Sequence, residues 1–154
     1  VITPKCVLVP ATEYNSLHKV DYLTTMGVAP SVSECVVDTP VINNIVAVMS
    51  IDKEFAQTLL NLKTDSTFTT PLLSNETIEQ GTIIELIDNT LFVRVYNKGL
   101  LFAEAMEVSS DTDIIHILQR LNNIYDIYNM YARALGDTER ITRICKRCFK
   151  HIDK

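Results

Sequence analysis

From residue 82 onward, three short strand-like runs of mainly apolar residues follow one another before the apolar spacing lengthens to that of a helix. Residues 83–87, 91–96 and 101–108 are each rich in β-branched and apolar side chains, which suit pleated, half-buried backbone. Asp88-Asn89-Thr90 and Asn97-Lys98-Gly99 separate them, and both compositions close hairpins. The three runs therefore predict an antiparallel meander. In the middle run Leu91, Val93 and Val95 alternate with Phe92, Arg94 and Tyr96, so one face is wholly apolar and the other mixed, as in a sheet with one face more deeply covered. Ser110 or Asp111 then caps a helix whose stripe is Ile114, Leu118, Leu121, Ile124 and Tyr128. Residues 131–135 read as a short strand, and Gly136-Asp137-Thr138 opens a last amphipathic helix carrying Ile141, Ile144, Cys145, Cys148, Phe149 and Ile152 on one face. The order over residues 82–152 is β-β-β-α-β-α.

The first half is punctuated more densely. Residues 5–9 form a short apolar run closed by Pro10, which cannot continue a central strand and suits the first turn of a helix. A helix over about 11–26 follows, with Leu17, Val20 and Leu23 inward and Gly27 as its stop. Residues 33–38 and 42–50 read as paired strands joined around Thr39-Pro40, and Asp52 caps a helix over 53–62 with Phe55, Leu59 and Leu62 inward. Residues 67–73 read as a further strand bent at Pro71. The polar stretch 74–81 links two halves, 1–73 and 82–154.

Composition narrows the class. With 154 residues, 47% hydrophobic and 21% charged, the chain is neither disordered nor low-complexity. At this length about 68–70% of the unfolded surface can be buried. No apolar run approaches the roughly 18 residues of a membrane span. No signal-peptide pattern precedes the first apolar run, and Cys6, Cys35, Cys145 and Cys148 all sit inside apolar patterns, as thiols do in a reducing compartment. A cytoplasmic protein is expected.

Charge is divided unevenly. The formal net charge is −5, yet residues 133–154 carry seven cations against three carboxylates, a local +4 that leaves −9 for residues 1–132. Arg140, Arg143, Lys146, Arg147 and Lys150 form the candidate basic patch. It reads first as a solvated helix face, with cations near the C-terminal end of the dipole. A footprint for nucleic acid or an acidic partner is the alternative, weakened because no base-stacking aromatics interleave with the cations.

The runs Cys6-Val-Leu-Val-Pro10, Leu100-Leu-Phe-Ala-Glu104, Ser110-Asp-Thr-Asp-Ile114 and Ala134-Leu-Gly-Asp137, in this order of elements, resemble a Bacteroidetes family of unknown function that is itself similar to degenerate actin-like ATPases. The resemblance implies an α/β fold with a mixed sheet, of the ribonuclease H-like and actin-like ATPase kind. It implies two halves, with residues 1–73 a partial ribonuclease H-like subdomain lacking its opening strands, as in a piece of a longer chain. Actin-like ATPases hold phosphates with a strand ending in Asp and a glycine turn whose N–H groups approach the anion. Here the matching turn is Asp88-Asn89-Thr90, without glycine. Gly136-Asp137 falls where related ATPases place an adenosine-contacting turn. Asp88, Asn89, Gly136 and Asp137 are therefore the candidate remnant ligand turn, and the ATPase motifs are degenerate.

Three functions from different classes follow. The leading expectation is a pseudoenzyme: a non-catalytic, cofactor-free pseudo-ATPase acting as a protein-interaction module, its partner another protein or a second copy of itself. A metal-dependent nuclease or nucleic-acid binder is the second, drawing on Glu85 or Asp88, Asp113 and Asp137, although each has a plainer use as a turn, dipole or cap residue. Nucleotide sensing without hydrolysis is the third. Cys145-Lys-Arg-Cys148 with His151 is a poor metal or redox motif, because the pair lies late in its helix, where the dipole raises a thiol pKa, and no second knuckle is present; no metal is expected.

Overall fold

In the computed structural model, which describes residues 1–62 and 66–153, the chain separates into two compact units, Val1–Leu73 and Ser74–Lys154. The second unit follows the predicted order closely. Strands β4 (Gln80–Ile87), β5 (Thr90–Asn97) and β6 (Leu100–Glu107) form the meander, helix α3 spans Asp111–Tyr125, β7 spans Tyr131–Gly136 and α4 spans Thr138–Cys145. With β8 at His151–Asp153, the sheet order is β6-β5-β4-β7-β8, with β4 antiparallel to β5 and parallel to β7. The meander therefore occupies one side of β4 and the helical crossover the other.

One face of this sheet is covered by both helices. Ile84, Leu86, Leu91, Val93, Val95, Ala132 and Ala134 pack with Ile114, Leu118 and Leu121 of α3 and Ile141 and Ile144 of α4. Apolar burial at roughly 25 cal/mol per Å² is the main stabilising term here. The opposite face was expected to be the less covered one, but every residue from Thr90 to Tyr96 is buried, and Arg94 is only 1% exposed. Its guanidinium donates from Nη1 to the carbonyls of Glu76 (2.8 Å) and Ser74 (3.4 Å), so the stretch after Leu73 is tied to that face through backbone oxygens. Nη2 has no partner among the described residues, and the Glu85 carboxyl shares the face and feels the Arg94 charge.

Two helical stripes end sooner than the periodicity predicts. Helix α3 buries Ile114, Leu118 and Leu121, but Ile124 points outward and Tyr128 lies beyond the helix, in a 3-10 turn over Ile127–Asn129. Asp126, in the left-handed conformation at φ 53°, stops the helix, and Ile127 takes the buried place. Helix α4 stops at Cys145; after a turn the chain runs back as β8 (His151–Asp153), parallel to β7, with Ile152 opposite Ala132. Cys148 and Ile152 still pack against the core, but from a turn and a strand. Apolar residues spaced three or four apart suit either arrangement, and pairing with the free edge of β7 satisfies backbone groups that another helical turn would not.

The first unit holds β1 (Cys6–Pro10), α1 (Lys19–Thr25), β2 (Glu34–Asp38), β3 (Ile45–Asp52) and α2 (Lys53–Leu62). Its sheet is wholly antiparallel in the order β1-β3-β2, with residues Val46–Ile51 of the central strand all buried. Pro10 ends an edge strand, where its missing N–H costs no ladder bond. The hairpin between β2 and β3 turns at Asn43-Asn44, both at positive φ and bracketed by the Ile42–Ile45 pair, rather than at Thr39-Pro40. Asparagine tolerates that backbone well.

Three further expectations fail in this unit. The helix predicted from residue 11 begins with a 3-10 turn at Ser16–His18, because Asn15 accepts from the Leu17 amide (3.0 Å) and acts as the cap. Leu17 and Val20 are exposed, and only Leu23 of that stripe is buried, against Val9 and Val48. Asp52 does cap α2, accepting from the Phe55 amide at 2.9 Å, but the helix buries Ala56 and leaves Phe55 and Leu62 outward. Residues 67–73 form no strand: Pro71–Leu73 is one 3-10 turn, a place where the absent proline N–H is no loss.

Candidate functional site

Because β4 and β7 run parallel with Leu86 opposite Gly136, their C-terminal ends lie side by side. In α/β sheets, ligands bind outside the carboxyl ends of strands where the connectivity switches direction. The structure thus brings the two predicted turns, Asp88-Asn89 and Gly136-Asp137, to one end of the sheet, together with the N-terminus of α3.

That end is closed by its own side chains. Asp88 sits at φ 53° in a two-residue hairpin between the paired Ile87 and Thr90, and the Asn89 carbonyl accepts from the Val108 amide at 2.8 Å. Gly136 adopts φ +68°, and a Cβ there would stand 2.1 Å from the Leu86 carbonyl oxygen. Its glycine is required by this backbone crossing, not by an anion. The Asp137 amide donates to that same Leu86 oxygen (2.8 Å), and the Asp137 carboxylate accepts from the Arg140 amide (3.1 Å), capping α4. A carboxylate of the chain therefore holds the position where a helix N-terminus would meet a phosphate.

The neighbouring carboxylates are also engaged. Ser110 and Asp113 form a capping box on α3: Ser110 Oγ accepts from the Asp113 amide (3.2 Å), and Asp113 accepts from the amides of Ser109 (2.8 Å) and Ser110 (2.9 Å). Those backbone donors hold the Asp113 carboxyl below its ordinary pKa. Asp111 accepts from Arg140 Nε at 2.7 Å and from Arg143 Nη2 at 3.1 Å, and Arg140 first of all holds its carboxyl low. Glu85 is elsewhere: it sits opposite Phe92 on the face that carries Arg94, and burial raises its pKa while the Arg94 charge opposes that rise. Among the described residues, no group of three or more His, Cys, Asp or Glu is placed to hold a metal ion.

Of the basic patch, Arg140 and Arg143 are tied to Asp111, while Lys146, Arg147 and Lys150 lie beyond the end of α4, not on a continuous helix. Lys154, counted in the C-terminal charge excess, lies outside the described residues. All four cysteines are free, and burial pushes the Cys145 thiol up to about 12 and the Cys6 thiol up to about 11, away from reactive thiolate. Three residues were not readable as site residues from sequence. Asp111 meets its arginines 29 and 32 positions away. Thr142 is a buried hydroxyl with no partner among the described residues. Arg94 alone left a signal, a cation in an otherwise apolar strand.

No family model and no curated protein matches this chain. Among solved structures it is similar to a Bacteroides thetaiotaomicron protein with actin-like ATPase fold and unknown function: the two superpose with a TM-score of 0.76 at 16% identity, over 98% of this chain. The chain spans 65% of the length of that structure. The fold is that of the actin-like ATPases, a mixed α/β arrangement with a mixed sheet. The neighbour fits the Bacteroidetes family of unknown function to which the short apolar runs pointed. No helix among the described residues is long and apolar enough to cross a membrane.

Proposed function

We propose that this chain is a non-catalytic member of the actin-like ATPase fold, a cytoplasmic pseudo-ATPase that works by contact with another protein. The observation that carries this reading is the closed end of the β4–β7 pair. Phosphate binding there needs free backbone N–H groups and small residues, whereas Gly136 is committed to the Leu86 carbonyl and Asp137 occupies the first turn of α4. The Asp137 carboxylate, accepting from the Arg140 amide, stands where a polyphosphate would approach the helix start, and like charges at that range repel. A nuclease would require Asp113 to leave its capping box and Asp137 its cap, each of which satisfies helix-start amides.

Partner contact is supported by the first unit, where Leu17, Val32 and Leu62 are 87%, 93% and 78% exposed. The test is a thermal-shift series with ATP and Mg²⁺, with Mn²⁺ alone and with short RNA, alongside light scattering for self-association. A ligand at 100 times its dissociation constant adds about 2.7 kcal/mol to stability. No shift with any of the three is expected; a saturable shift with ATP would overturn the reading.

A further inference from the structure

We propose that the outward face of α4 and the turn after it bind the phosphate group of a phosphorylated ligand, at a place separate from the closed end of the β4–β7 pair. A depression of about 450 Å³ is lined there by Glu139, Thr142, Arg143, Lys146 and Arg147. Its size falls within the roughly 300–1,000 Å³ of small-ligand sites. Arg143 near the end of α4 and Lys146 and Arg147 in the turn after it line the same depression. All three are exposed. Arg143 gives Nη2 to Asp111 but its side chain stays 70% exposed, and Lys146 and Arg147 form no ion pair among the described residues.

The second observation is the floor. Thr142 is only 6% exposed, lines the same depression, and its hydroxyl has no hydrogen-bond partner among the described residues. A helical threonine ordinarily turns its hydroxyl back to the carbonyl four residues earlier; here that bond is absent, and a buried hydroxyl left unpaired is costly. The hydroxyl itself is closed off from solvent beneath the lining, so the donors to a seated oxyanion are the three cations.

The chemistry favours phosphate over other anions. Three cations against the one carboxylate of Glu139 suit a group carrying nearly two negative charges, as a phosphate monoester does at neutral pH. Guanidinium forks match its paired oxygens, and the lysine adds a point charge. A nucleic-acid duplex calls for about 6–10 phosphate contacts, and a single strand for stacking aromatics; the lining has neither. The rest of the chain is strongly acidic, so its overall field repels anions and any binding must come from this site.

An amide NMR titration of the whole chain tests this, using inorganic phosphate, O-phosphoserine, a phosphoserine peptide and sulfate, each at constant physiological ionic strength. The proposal expects saturable shifts confined to residues 139–147. A free phosphorylated metabolite as the natural source predicts equal affinity for O-phosphoserine and the peptide, and a modified protein predicts tighter binding of the peptide. The double variant Lys146→Glu with Arg147→Glu, both exposed, is expected to abolish binding. Thr142→Val, which removes a hydroxyl with no solvent contact, is expected to leave binding unchanged. Absence of saturation, equal binding by the charge-reversed variant, or sulfate binding as tightly as the phosphate ligands, which would mark an adventitious ion only, overturns the proposal.

Discussion

The two units treat their large apolar residues differently. In the first, Leu17, Val32, Met26, Phe55 and Leu62 are all more than half exposed, and helix α1 buries only Leu23. In the second, β5 is buried from Thr90 to Tyr96, and both helices turn an apolar stripe onto one sheet face. A seven-residue helix cannot present a full stripe, and an isolated helix so short is marginal in water. The fifteen-residue α3, fixed by a capping box, can. Stability is therefore concentrated in the second unit, while the first carries the surface that water should not be asked to cover.

The largest effect that would test this division comes from Gly136→Ala. The new methyl would lie 2.1 Å from the Leu86 carbonyl oxygen, at a positive φ that L-residues rarely adopt. Backbone strain of about 1–2 kcal/mol and overpacking of about 1–3 kcal/mol add to a loss of roughly 2–5 kcal/mol. Hydrogen exchange should report it as faster exchange of the β4 and β7 amides. A variant as stable as the parent would mean that Gly136 is free of this crossing, and the turn would again be available to a ligand.

What could be read from sequence follows the same line. The meander was legible because 83–87, 91–96 and 101–108 are compact apolar runs separated by strong hairpin residues; the structure lengthens the first two, shifts the third by one residue and pairs them as a meander. The grouping of Asp88, Asn89, Gly136 and Asp137 came from the resemblance, and the parallel pairing of β4 with β7 is what puts the two turns at one sheet end. The burial of Arg94 did not, since its acceptors are the backbone carbonyls of Ser74 and Glu76, which carry no side-chain signature. Nor did the end of α4 at Cys145, because Cys148, Phe149 and Ile152 keep helical spacing while serving a turn and a strand. In the first unit, Asn15 outcompeted the apolar pattern as a helix start, and Asn43-Asn44 was overlooked beside the more obvious Pro40.

A smaller effect distinguishes the units by pH. Glu34 accepts from Lys5 Nζ at 2.7 Å and from the Ser31 amide at 2.6 Å, and the Lys5 bond first of all pulls its carboxyl down to about 2. An unfolded glutamate titrates near ~4.3, so the folded state binds this proton less readily than the unfolded one. The contribution is present above that value and is lost as pH falls toward about 2. Glu34→Gln is expected to lower the urea midpoint at neutral pH, with the gap to the parent closing between pH 5 and 2 (roughly the span between the two pKa values). The side chain is partly exposed, so salt should shrink the gap. A gap that stays constant across this range would remove Glu34 from the account of acid sensitivity.

The smallest expected change in stability carries the most weight for function. Leu17→Ser and Leu62→Ser alter side chains that are 87% and 78% exposed and make no part of either described core cluster. Each should move the midpoint by no more than about 0.5 kcal/mol, the usual range for a surface site. If the first unit keeps these residues for a partner or a second copy, the double variant should lose self-association in light scattering while its melting curve is unchanged. Equal loss of association and stability would place the two leucines in the fold rather than at a contact. Unchanged association would leave the exposed apolar surface of the first unit without the role that sets it apart from the second.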